Sequence, residues 1–476
     1  MPAVDPSVFL RLGSHSEKDY FEKIIRFIDG YIIAANLIES TPAACASLVF
    51  RFSGKKRNTP YLLDPMTYTF GGYLDPSINA IRHDLDWIKS NQKRKKNTIR
   101  DFKRSYKSLG DWFGGPFSEA VCDNKRKDAA ISPSNFNSDE IITQVSKAVV
   151  DYQRNRIPNI FRDEIQDDPG AAELMKAFPL PMAILAPYFY IEPSEDIGWL
   201  DVNLRMMKET VSLENELPVH GVLCLDQSFL LERDRIETIA QDVLKTGING
   251  IWLWISKLNE DELTGAGEIK ADSTNSFNKL SALRDLVETL SSKIEVYNMH
   301  GGFFSLALSK FGMKGINHGV GYGEQKDVVP VIGQAIPIVR YYLPSIHRRL
   351  GVPDIERCFR DLEIREPNDF YEQICDCAIC RGVINSSVNQ FRLFGEMQPP
   401  KPGKKRSTQT PDAARRCRFH FLLTRIRERD WLKKATLKEI RDSLMVANEK
   451  WGSQPTVQRY TPHLRAWGAA LADPED

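Results

Sequence analysis

The chain predicts an α/β fold with a parallel sheet, closed as a TIM-like (β/α)8 barrel. Three observations predict it. Seven short apolar runs are continuous rather than alternating, as expected of parallel strands covered on both faces. Amphipathic stretches lie between them, so strand and helix patterns alternate over most of the chain. At 476 residues and 42% hydrophobic, the chain can bury a sizeable core, as two or three domains or as one large barrel with additions.

The strand candidates, in order, are GYIIAANLI (30–38), PYLLDPM (60–66), PMAILAPYFYI (181–191), HGVLCLD (220–226), NGIWLWI (249–255), IEVYNM (294–299) and MKGINHG (313–319). AIPIVRYYL (335–343) would be the eighth. Helices are expected over 228–247, with Gly247 as its stop, and over 273–292, with Asp272, Ser273 and Thr274 offering N-cap chemistry. A doubly wound open sheet is the alternative. No GxGxxG follows the first strand and no GxxxxGK[ST] occurs, so nucleotide-binding versions lose weight. The long polar stretch 82–128 interrupts the alternation, 399–411 reads as a basic loop, and 419–451 is strongly helical. The expected division is a barrel over 1–350, with a basic insertion over 82–180, and a zinc-binding helical subdomain over 351–476.

A net charge of +1 excludes a globally basic nucleic-acid binder but not local basic patches. No apolar run is long enough to span a bilayer, and the N-terminus lacks the order of a signal peptide. A cytoplasmic protein without membrane attachment is expected, in a compartment where disulfides are rare.

Against that background, CDCAIC (375–380) places three of the eight cysteines within six residues. Cys375, Cys377 and Cys380 can wrap one ion, and structural zinc takes four ligands, commonly cysteines with a histidine. His420 or Cys417 would complete the set. An iron–sulfur cluster using Cys417 is the minor alternative, and a redox pair or unrelated thiols the bland one.

C-x-C-x-x-C followed by a helical histidine, after a barrel-like stretch, resembles the tRNA-guanine transglycosylase superfamily, including its DNA-modifying 7-deazaguanine branch. The resemblance implies a TIM barrel and a structural Zn2+ on Cys375, Cys377, Cys380 and His420. PYLLDPMTYTFGG (60–72) is similar to the family's Asp-Ser-Gly-Gly-Phe strand end and places its base-site aspartate on Asp64. Residues 183–210 look like the base-recognition strand, with Ala186 and Pro187 where an acid is expected. Residues 219–255 look like the two following strands, with Asp226 and Gln227 near the family's substrate-reading glutamine. GINHGVGYGEQ (315–325) resembles the nucleophile segment, but Asn317 and Val320 stand where aspartates belong.

Base exchange needs a carboxylate to capture the sugar carbon and a second group to move a proton. Asp64 and Asp226 end strand candidates, on the face where barrels place catalysis. An Asp-Pro turn and a helix cap are their plain structural roles. Glu324, in a glycine-rich segment, is the candidate substitute nucleophile, or else an exposed loop acid. His300 and His318 follow or end strand candidates and would support the chemistry or contact phosphate, or simply satisfy backbone groups. Tyr68, Tyr188 and Tyr190 are candidates for stacking a flipped base, and Gln227 for reading it. Lys95, Lys96, Arg100 and Arg104, with Phe102 and Tyr106 interleaved, form a basic run; a second precedes the zinc helix. Both suit phosphates, or are solvated faces. The expected partners are a nucleic acid, DNA favoured over tRNA, and a 7-deazaguanine base. A non-catalytic subunit docking nucleic acid for a partner protein is the competing reading, and an enzyme of free nucleosides a third.

Overall fold

A computed structural model describes residues 4–13, 17–54, 57–72, 98–122, 130–192, 198–258, 260, 273–321, 327–328, 338–400 and 407–472. Eight parallel strands form the sheet: β1 (Ser7–Leu12), β2 (Gly30–Ala34), β3 (Tyr61–Asp64), β4 (Ile184–Leu185), β5 (Val219–Asp226), β6 (Gly250–Ser256), β7 (Glu295–Asn298) and β8 (Met313–Gly319). Their order, β3-β2-β1-β8-β7-β6-β5-β4, is that of a barrel opened between β3 and β4. There the Met182 amide donates to the Tyr61 carbonyl at 2.9 Å, so the barrel is nearly closed.

All seven predicted runs carry a barrel strand, but the eighth is not 335–343. It is β1, SVFLRL, paired with β2 on one side and β8 on the other. Of the predicted eighth strand, Tyr341–Leu343 (β9) pairs antiparallel with Arg348–Leu350 (β10), outside the barrel. The physical reason is that β8 already has both its neighbours, β7 and β1. The hairpin serves the cysteine cluster instead.

Residues alternate in and out along each strand. Phe9, Ile32, Leu62, Leu185, Val222, Trp252 and Tyr297 pack together inside the barrel. Val8, Leu10, Ile33, Leu63, Leu223, Leu253 and Ile316 face outward into the layer beneath the helices. That outer layer includes α1 (Lys18–Ile24), α2 (Ala35–Ser40), α3 (Pro42–Ser53), α4 (Thr98–Phe113), α5 (Gly115–Cys122), α6 (Asp139–Glu164), α7 (Ala171–Lys176), α8 (Gly198–Leu213), α9 (Arg233–Leu244), α10 (Ser273–Ser291) and α11 (Phe303–Ala307). Helix α9 ends as expected near Gly247, whose φ of +82° few other residues tolerate. The insertion after β3 is helical where described, α4 to α7.

Beyond β10 follow α12 (Val352–Glu356), α13 (Pro367–Gln373), α14 (Ala378–Val383), α15 (Pro411–Lys434), α16 (Leu437–Gly452) and α17 (Pro462–Ala470). The helical stretch 419–451 is two helices. They part at Ala435–Thr436, where the Thr436 side chain and Glu439 form a capping box. Helix α15 takes the place of a helix after β8. Phe421 packs on His318 of β8, and Arg429 donates to the Phe27 carbonyl and to Asp29 before β2. Among the described residues no helix is long and apolar enough to cross a membrane.

Candidate metal centre and barrel lumen

The cysteine segment runs from the end of α13 into α14. The Cys377 sulfur accepts the Cys380 amide at 3.4 Å, capping α14, and the Cys375 sulfur accepts the Cys377 amide. About two and a half turns into α15, His420 points its Nδ1 at all three sulfurs, 3.8 Å from Cys375 and 3.4 Å from Cys377 and from Cys380. All four residues are buried, and their ligand atoms lie within 4.8 Å of one another. A tetrahedron with metal–sulfur bonds of ~2.3 Å and a metal–nitrogen bond of ~2.0 Å separates sulfur and nitrogen by roughly 3.5 Å. The cluster therefore fits a tetrahedral metal ion. His420 Nε2 donates to the Tyr342 carbonyl at 2.6 Å, which fixes the ring and leaves Nδ1 as the ligand. The Tyr341 ring stacks on it at 4.1 Å. Cys417 is not in the set: its sulfur donates to the Phe394 carbonyl at 3.3 Å.

Through α15 the cluster reaches the barrel rim. Arg418 packs against Gly321, just past β8, so closely that a Cβ there would lie 2.8 Å from its Nε. It also donates to the Tyr20 hydroxyl.

Inside the barrel, Asp64 ends β3 fully buried. Its Oδ2 accepts from Arg11 of β1 at 2.5 Å, and its Oδ1 accepts the Tyr188 hydroxyl and the Met66 amide, each at 2.9 Å. The Met66 bond is the Asp-Pro turn; the other two are new partners, so the turn and the lumen share one side chain. Burial alone would lower the Arg11 guanidinium, but Asp64, Tyr188 and Tyr68 outweigh it and raise it. Tyr68 stacks on Tyr188 at 5.5 Å and meets Trp254 edge-on at 4.8 Å; burial raises both hydroxyls. His300 packs its ring on Trp254 at 4.7 Å, and its amide donates to Asn298. Asn317, inside β8, donates to the Met299 sulfur, as Arg11 does.

Asp226 ends β5 in a second cluster. Its Oδ2 accepts from Tyr190 and from Lys257, each at 2.9 Å, and its Oδ1 accepts the Ser228 amide, as a cap would. Burial would raise this carboxyl, but the Ser228 amide, Lys257 and Tyr190 outweigh it and hold it below its ordinary value.

The structure thus gathers Asp64, Tyr68, Tyr188 and His300 in one lumen and sets Asp226 at its rim. Gln227 accepts from Lys279 there at 3.4 Å. His318 is not among them. Alternation along β8 turns its ring outward onto Phe421, and its Nδ1 meets the Gly319 carbonyl at 2.8 Å. Of the basic run, Arg104 is exposed on α4 and Arg100 lies in its first turn, while Lys95, Lys96 and the proposed nucleophile Glu324 fall outside the described residues. Sequence reasoning missed Arg11 and Lys257. A lone arginine within VFLRL was the signal for the first, since a charge in a buried run needs a partner. No protein-family model matches the chain, and no curated protein matches its sequence.

Proposed function

We propose that this barrel is a guanine transglycosylase acting on a nucleic acid, DNA rather than tRNA, in which a 7-deazaguanine base replaces guanine. The observation that carries the reading is the buried Cys375–Cys377–Cys380–His420 set, which joins the cysteine segment to α15, the helix that packs on β8 of a parallel barrel. It joins the motif that resembles the transglycosylases to the architecture that the resemblance implies. The ion is zinc in this reading, since three thiolates and an imidazole in a closed tetrahedral site suit it. It staples the subdomain and takes no part in the reaction.

In the exchange, the bond from the sugar carbon to guanine breaks as a carboxylate captures that carbon. The purine leaves with a proton, and the incoming base then displaces the carboxylate. Asp64 and Asp226 are assigned to the reacting centre, Glu324 to nucleophilic capture and His300 to a supporting role. Tyr68 and Tyr188 offer flat faces to the base, and Gln227 an amide to read it. Arg418 at the rim, with the basic insertion, would take phosphates.

The competing reading is a non-catalytic subunit that binds nucleic acid for a partner protein, and Asn317 favours it. This residue lines the lumen where a carboxylate is expected and cannot form the covalent intermediate. Labelled-guanine exchange into duplex DNA and tRNA, run side by side with trapping of a denaturation-resistant adduct, decides between them. Exchange with an adduct supports the enzyme. Tight binding with neither supports the subunit.

A further inference from the structure

Beside the strand ends of β5 and β6 lies a third acid that the reading above leaves unused. Lys257, directly after β6, adopts a left-handed backbone with φ +64°, which a non-glycine residue holds only when its surroundings over-determine it. That conformation sends the Lys257 ammonium to Asp226, at 2.9 Å, and its amide to the Asp327 carboxyl. The next residue, Val328, donates its amide to Ser256 at 3.1 Å and packs into the barrel interior, which anchors Asp327 at the mouth. Lys257 is 45% exposed and Asp327 is partly exposed, so a ligand can reach this part of the rim. In the same lumen Asn317 Oδ1 is buried and has no hydrogen-bond partner among the described residues, an acceptor that a donor would satisfy.

We propose that Asp327 and Asp226, bridged by Lys257, form an acid–base pair at the barrel mouth, with Asp327 as the proton donor and Asp226 as its charged neighbour. Two carboxyls in unlike surroundings split their roles in this way. Asp226 has three donors. Asp327 is raised by burial, partly offset by Lys257 and reinforced by Asp226. Among the described residues, Lys257 and Asp226 are the charged groups that face it. On the transglycosylase reading, on which the substrate rests, Asp327 protonates the departing purine on a ring nitrogen. The sugar–purine bond pair goes to the purine, the sugar carbon bonds to the nucleophilic carboxylate, and Asp327 is left as a carboxylate beside Lys257. The incoming base returns a proton to it.

The pair is tested without substrate by carboxyl 13C NMR titration of the full chain, with Asp327→Asn used for assignment. Asp327 is expected to titrate above Asp226, to fall when Asp226→Asn removes the neighbouring charge, and to rise in Lys257→Met. An Asp327 that titrates at the ordinary value, or ignores both changes, overturns the proposal. Where base exchange is observed, Asp327→Asn should lower kcat at least tenfold and remove the limb of the pH profile set by the acid. Unchanged exchange in that variant overturns the proposal and leaves the transglycosylase standing. The expected titration without exchange on any nucleic acid supports the pair and sinks the transglycosylase instead.

Discussion

Arg11 and Asp64 are the residues on which the lumen turns. Breaking a buried ion pair leaves a charge without compensation, which typically costs about 3–5 kcal/mol, whereas replacing both partners by apolar groups is often neutral. Arg11→Met should therefore destabilise the protein by about 3–5 kcal/mol in urea unfolding, and Arg11→Met with Asp64→Leu should recover most of it. A double variant no more stable than the single would show that the pair is not what holds the lumen. His220 offers a second test. It is buried on the lumen side of β5, accepts from Trp252 Nε1 at 3.3 Å, and is lowered by burial from 6.5 to about 4. The folded state thus disfavours its protonation while the unfolded chain accepts it. Its contribution leaves stability unaffected above pH 6.5, lowers it as pH drops from 6.5 to about 4, and levels below that. The loss is about 3 kcal/mol at most. His220→Asn should flatten part of that slope; His463, lowered by burial to about 3, keeps the rest. An unchanged slope in the variant would mean that His220 does not titrate in this range.

Helix α15 acts as an element because His420 ties it to the three cysteines and its rings pack on Tyr20, His318, Tyr341 and Tyr342. Metal binding to such a set is folding free energy for the segment that carries it. His420→Ala should abolish stoichiometric metal, lower the thermal midpoint and destabilise by more than about 4 kcal/mol. Cys417→Ser should keep the metal and cost about 1 kcal/mol, since its thiol bonds a carbonyl outside the cluster. Loss of metal in the serine variant would restore Cys417 as a ligand. Spacing alone leaves Cys417 and His420 open, because they lie about one turn apart on the same helix and only the hairpin β9–β10 decides between them. The Tyr342 carbonyl and the Tyr341 ring select the histidine, and that hairpin is long-range information. The same non-locality hid β1. Its five-residue core VFLRL contains an arginine, which reads as surface until Asp64, 53 residues away, supplies the partner. The continuous apolar runs were legible because parallel strands buried on both faces need no partner to be recognised. His318 takes its plain alternative, a backbone partner, for a related reason: a strand's register, not its sequence, decides which face a residue takes.

At the scale of the whole molecule, 64 basic and 63 acidic side chains nearly cancel, so affinity for a polyanion has to come from where the charges sit. Much of the basic charge proves to be committed. Arg154 and Arg156 pair with Glu214 and Glu39, Arg425 with Glu428, Arg427 with Asp376, and Arg429 with Asp29. Residues such as Arg104, exposed on the insertion that follows β3, and Arg418, beside the end of β8, are better placed for phosphates. Each phosphate contact releases counterions, so the logarithm of affinity falls with the logarithm of salt by ~0.9 per contact on duplex DNA and ~0.7 on single strands. Replacing Lys95, Lys96, Arg100 and Arg104 together by alanine should weaken binding to all sequences alike and reduce the salt slope on duplex DNA by up to about 3.6. Arg418→Ala should reduce it by about 0.9. Metal content and the thermal midpoint should stay unchanged in the fourfold variant, because Arg104 is exposed and the metal cluster lies in a different part of the fold. Titrations across a salt series, on duplex DNA and on tRNA, give these slopes directly. A steeper slope on duplex DNA that these substitutions flatten places the insertion on the DNA path. A slope they leave untouched makes the insertion a solvated face, and the polyanion must then be met elsewhere on the chain.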